Sequence, residues 1–139
     1  MGWQMETLKI GKLAERGGVN LETVRYYERE GLMLPPGRNS SGHRAYSPNA
    51  VRRLRFIKRA QELGFSLLEI KELLALRLDP HQLCNDVVRQ IETKTHEVEA
   101  KIAHLKIIRR GLIHLKDSCD GKCNVSECPI LESLDSEIS

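Results

Sequence analysis

The chain has 139 residues, 40% hydrophobic and 29% charged, a balance that fits a folded, water-soluble protein of one or two small domains. No apolar stretch reaches the length that crosses a bilayer, and the start, MGWQMETLKI, lacks the basic lead and apolar run of a secretory signal; a cytoplasmic location and no membrane partner are expected. The net charge of +3 is unevenly spread: residues 1–78 carry 14 Lys and Arg against 8 Asp and Glu, and residues 79–139 carry 8 against 11. A basic front of this kind points to a polyanion such as nucleic acid.

The first patterned stretch, LKIGKLAERGGVNLETVRYYEREGL, predicts two short helices about a tight turn. Ile10, Leu13 and Ala14 give the first an apolar stripe. Gly17-Gly18 ends it, since glycine accepts a left-handed cap. Asn20 is a good N-cap for the second helix, Glu22 suits the positive end of its dipole, and Gly31 stops it. This is a helix-turn-helix pattern. The second helix offers Thr23, Arg25, Tyr26 and Tyr27 as groups able to bond phosphates and base edges in a major groove; an amphipathic helix with one buried tyrosine has the same spelling.

LPPGRNSSGHRAYS follows. Its prolines, glycines and serines predict a loop or short hairpin. Arg38, His43 and Arg44 project from it and Tyr46 ends it, the expected make-up of a wing lying along a DNA backbone. A third helix starts at Ser47-Pro48, with the proline in the first position, where its missing N–H costs nothing. Val51, Leu54 and Ile57 face inward, while Arg52, Arg53, Arg55, Lys58 and Arg59 make this helix strongly basic. After Gly64, SLLEIKELLAL opens on a capping box, Ser66 to Glu69, and presents Leu67, Ile70, Leu73 and Leu74 as a core face.

Asp79-Pro80 is expected to open a long final helix in the same way, cap then proline. Along it Cys84, Ile91, Val98, Leu105 and Leu112 recur every seven residues, with Val88, Thr95 and Ile102 between them, a coiled-coil seam. No second long helix exists in the chain to cover this seam, so a second copy is the expected partner. Gly111 is the weak point of the helix.

Four cysteines in a reducing compartment point to metal or redox chemistry. Cys84 and Cys119 stand 35 residues apart, roughly 52 Å of straight helix, too far to share an ion within one chain. In an antiparallel dimer centred near residues 101–102, Cys84 of one chain lies beside residue 119 of the other. Cys84, Cys119 and Cys128 would then form a trigonal sulfur site for a soft ion. Cys123 would be a fourth ligand giving a tetrahedral set, a resolving redox partner or a spare thiol. His81, three residues before Cys84, could approach the ion; His96, His104 and His114 read as solvent-facing. No paired carboxylates, phosphate-cradling loop or nucleophilic triad stands out, so no enzyme is expected.

From about Leu8 to Leu134 the chain resembles the MerR transcription regulators, on IGKLAERGGVNLETVRYYEREGL, GRNSSGHRAYS and FIKRAQELGFSLLEI taken in order. An upstream cysteine followed by C-x8-C resembles the metal-sensing branch, with Cys84, Cys119 and Cys128 in those places. The resemblance implies a helix-dominated, all-α fold: a winged helix-turn-helix DNA-binding domain at 8–78, a long antiparallel coiled-coil dimerisation helix at 79–118 and a metal-binding loop with a short helix at 119–139. It implies a homodimer on a palindromic promoter that distorts the DNA on binding metal, so that RNA polymerase aligns with both promoter elements. Arg25 and Tyr26 would contact the major groove, and Arg44, Tyr46, Lys58 and Arg59 the phosphates. Mercury(II) is the first expectation for the ion, from the cysteine intervals and NVSECPILESL. Zinc, cadmium or lead are the alternatives, since RLDPHQLC resembles zinc sensors, and a thiol-redox regulator is a further one.

Overall fold

The computed structural model describes residues 7–34, 36–38, 42 and 44–136. The elements are α1 (Ile10–Gly17), α2 (Leu21–Arg29), β1 (Gly37–Arg38), β2 (Arg44–Ala45), α3 (Pro48–Glu62), α4 (Leu67–Leu78), α5 (Cys84–Asp117) and α6 (Pro129–Leu134), with a 3-10 turn at Val125–Glu127. The architecture is helix-dominated, as expected, with one short hairpin. Two compact units are present, Met1–Arg89 and Gln90–Ser139.

In the first unit α1 and α2 make the predicted helix-turn-helix. Gly18 caps α1 at φ 71°, and the Asn20 side chain accepts from the Thr23 N–H at 2.8 Å. The two glycines of the turn serve different ends. Gly18 supplies the left-handed backbone. Gly17 supplies space, because a Cβ there would sit 2.2 Å from Cδ2 of the fully buried Leu54 on α3. Leu13, Val24, Leu32, Leu54, Ile57 and Ile70 form the centre of one apolar core.

The hairpin pairs antiparallel, Gly37 with Ala45 and Arg38 with Arg44. Its base is tied by two 2.8 Å backbone bonds exchanged between Leu8 and Tyr46. Pro48 takes the first turn of α3 as predicted, but Ser47 makes no side-chain cap; the first turn closes through the Ala50 N–H and the Ser47 carbonyl at 3.0 Å. The Ser66–Glu69 capping box of α4 forms in full, at 3.2 and 2.8 Å.

The expectation for Asp79-Pro80 is corrected. These residues form a turn, not a helix start: the Asp79 carboxylate accepts from the His81 N–H at 2.9 Å and its carbonyl from the Gln82 N–H at 3.3 Å. The helix begins at Cys84, where the Asp86 carboxylate reaches back to the Leu83 N–H at 3.2 Å. An aspartate's own side chain competes with helical pairing, and here it closes a turn.

In the second unit α5 continues through Gly111 to Asp117 without a break. Ile91, Val98, Ile102, Leu105 and Leu112 stay exposed along it. Beyond it come the loop from Ser118, the 3-10 turn and α6, which Pro129 starts.

Candidate DNA-reading surface and thiol loop

Helix α2 divides the residues expected to read DNA. Arg25 and Tyr26 are exposed, and Arg25 is held by Glu22 at 3.3 Å. Thr23 is half-buried, its hydroxyl donating to Asn20 at 2.8 Å. Tyr27 is corrected: it is a core residue, 3% exposed, and its hydroxyl donates to Gln61 on α3. Burial also raises its phenol above the ordinary range. Tyr46 is corrected likewise: it is buried and its hydroxyl donates to Glu28. Neither ring is on the surface as a reader of DNA. Glu28 and Gln61 were not singled out in the sequence, since charge and polarity alone do not reveal which side chain caps a buried phenol.

On the wing, Arg38 is exposed and donates to the Gly42 carbonyl at 2.8 Å, which orders the hairpin from within. His43 and the Arg44 side chain lie outside what the structure describes. The basic run of α3 is partly structural. Arg53 donates to the Leu32 carbonyl, Arg55 to the Arg16 carbonyl at 3.1 Å and Lys58 to the Gly18 carbonyl at 2.7 Å. The last two acceptors lie at the C-terminal end of α1, where carbonyls lack helical partners and the dipole favours cations. Lys58 is thus a clamp between α1 and α3. Arg59 is three-quarters exposed beside Glu62 at 3.7 Å.

Cys84, at the head of α5, is exposed. The loop after α5 brings Cys119 and Cys123 together, sulfur to sulfur at 3.6 Å, beside a hollow of about 390 Å³ also lined by Asp117, Asp120 and Glu127. Gly121, at φ 80°, turns the chain between them, and its N–H donates to the Cys119 sulfur at 3.4 Å. Backbone N–H groups of Leu131 and Ile130 lower the Cys128 thiol below its ordinary range. Hydrogen bonding to Cys119 raises that of Cys123. Among the described residues of one chain, no three histidine, cysteine or carboxylate side chains converge into a complete metal-holding group. The loop brings Cys119 near Cys123, the residue whose role the sequence left open.

Residues 8–76 match the model described as "MerR HTH family regulatory protein", and residues 51–115 the one described as "MerR, DNA binding". The chain is 46% identical over 126 residues to a mercuric resistance operon regulatory protein of Bacillus cereus, covering 91% of this chain and 96% of that one. This chain belongs to the MerR family. Two solved relatives share its architecture. One is a lead(II)-complexed transcription regulator from Ralstonia metallidurans CH34, at TM-score 0.82 and 35% identity, covering 91% and 98% of the two chains. The other is a mercury(II)-complexed MerR of Bacillus megaterium MB1, described as a dual-function transcriptional regulator, at TM-score 0.73 and 42% identity, covering 93% and 100%. As a MerR-family protein the chain is a DNA-binding transcription regulator, with α1 and α2 as its helix-turn-helix and β1–β2 as its wing. Among the described residues no helix is long and apolar enough to cross a membrane.

Proposed function

We propose mercury(II) as the inducer of this metal-responsive MerR-family regulator, acting in the cytoplasm on a homodimer bound at a palindromic promoter. The observation that carries the reading is the thiol loop: soft sulfur donors gathered by a glycine turn around a small hollow. Their chemistry fits a soft divalent ion. The identity to a mercuric resistance regulator supports mercury in particular.

The division of labour follows the chain: 8–78 binds DNA, 79–118 dimerises and 119–139 holds the ion. Arg25 and Tyr26 reach into the major groove from α2, with Thr23 at its edge. Arg38, His43 and Arg44 lie along the phosphates from the wing, and Lys58 and Arg59 flank them. The exposed stripe of α5 supports dimerisation, because each large aliphatic side chain it buries is worth about 1.5–3 kcal/mol. Continuity of α5 through Gly111 supports a site shared between chains, since its 34 residues amount to roughly 51 Å of helix. Cys84 of one chain then joins Cys119 and Cys128 of the other, twice per dimer. A bound soft ion supplies the sulfur bonds that draw those elements together. The two DNA-binding units respond by changing their relative setting, which untwists the promoter for RNA polymerase.

A second reading has its own observation. The 3.6 Å between the Cys119 and Cys123 sulfurs is close to the sulfur–sulfur edge of a tetrahedral zinc site, roughly 3.8 Å for Zn–S bonds of about 2.3 Å. With Cys123 as fourth ligand the inducer would be zinc, cadmium or lead. Transcription from the cognate promoter across a panel of these metals decides. Response at the lowest concentration to mercury supports the first reading, and response to zinc, cadmium or lead with mercury silent replaces it.

A further inference from the structure

The proposed metal site uses Cys119 but gives Cys123 no necessary part, and the structure holds these two sulfurs 3.6 Å apart. We propose that Cys119 and Cys123 are an oxidisable dithiol whose closure to a disulfide, by exchange with a low-molecular-weight disulfide such as oxidised glutathione, removes Cys119 from the metal site. The proposal rests on Cys119 being a metal ligand, and it adds a redox lock to that site.

Geometry carries it. A disulfide bond is about 2.05 Å long, so the two sulfurs must approach by only about 1.5 Å, within reach of side-chain rotation. The intervening turn is already made, with Gly121 at φ 80°, a backbone setting only glycine takes without strain. Cys123 is exposed, so a small disulfide in solution reaches it, while Cys119 is half-buried. The sulfur of Cys123 attacks one sulfur of the oxidant, forming a mixed disulfide and releasing one reduced thiol. The sulfur of Cys119 then attacks Cys123, forming the protein disulfide and releasing the second. Two protein thiols lose two electrons and two protons in all, and the oxidant becomes two thiols. The second step is intramolecular between groups already side by side, so it has a high effective concentration.

The chain makes the linkage readable. Lys122 separates Cys119 from Cys123, and Glu127 separates Cys123 from Cys128, so trypsin with a glutamate-specific protease puts each cysteine on its own peptide. Full-length protein is equilibrated in glutathione buffers of rising oxidation, quenched in acid, mapped by mass spectrometry and, after desalting, tested for mercury(II) uptake. The expected result is a Cys119–Cys123 linked pair whose appearance tracks loss of uptake, with both reversed by dithiothreitol. Cys123→Ser, left with one thiol of the pair, should keep its uptake at the ratio that closes the wild-type protein. Linkage to Cys128 instead, closure without loss of uptake, or Cys123→Ser failing at the same ratio would overturn the proposal. Uptake by the fully reduced wild-type protein tests the metal reading separately.

Discussion

Two tyrosines one residue apart in α2 have opposite fates. Tyr26 is 40% exposed, while Tyr27 is buried with its hydroxyl on Gln61. Tyr27→Phe should therefore destabilise the fold by about 0.5–1.5 kcal/mol and leave promoter affinity of the folded protein unchanged. Arg25→Ala should do the reverse, weakening promoter binding while moving stability by less than about 0.5 kcal/mol. Chemical unfolding and a binding titration on each variant check both halves. At Gly17 an added methyl meets Leu54 at 2.2 Å inside the core, so Gly17→Ala should cost about 1–3 kcal/mol of stability, read as a lowered denaturant midpoint. Residues whose job is local were legible in the sequence. Asn20 and Ser66 cap because an oxygen lies within reach of the next turn, and Gly18 turns because it lacks a Cβ. Tyr27 and Tyr46 were misread as surface groups because their partners, Gln61 and Glu28, are 34 and 18 residues away.

At the scale of elements, periodicity located α1 to α4, and glycine punctuation ended the first three, at Gly18, Gly31 and Gly64, while α4 stops at Asp79 without one. Punctuation failed at Asp79-Pro80, where the same cap-then-proline spelling that starts α3 makes a turn. The difference lies in what the first residue's side chain bonds, which neighbouring residues do not announce. For α5 the seven-residue pattern predicted both its continuity and its unpartnered stripe. If two copies cross near residues 101–102, Ile102 lies close to its own copy. Ile102→Glu would then bury two like charges with no partner, and the dimer should dissociate in analytical ultracentrifugation while helicity of the DNA-binding unit persists. A variant that stays dimeric would place the crossing elsewhere on α5.

At the scale of the whole molecule, one chain carries its helix-turn-helix in the first unit and its thiols in two separate stretches of sequence. The proposed second copy would account together for the incomplete thiol set of a single chain and the uncovered stripe of α5. The cysteine intervals led to this proposal, but they did not foretell the approach of Cys123 to Cys119, because a loop's path depends on a left-handed turn at Gly121 that spacing does not encode. The central claim is that each metal site takes Cys84 from one chain and Cys119 with Cys128 from the other. It is tested most directly by mercury(II) stoichiometry on a purified heterodimer of Cys84→Ser and Cys128→Ser subunits. With a competing small thiol in excess to strip two-sulfur binding, one tightly held ion per heterodimer and none in either homodimer is expected. A heterodimer that binds no more than the two homodimers would contradict it.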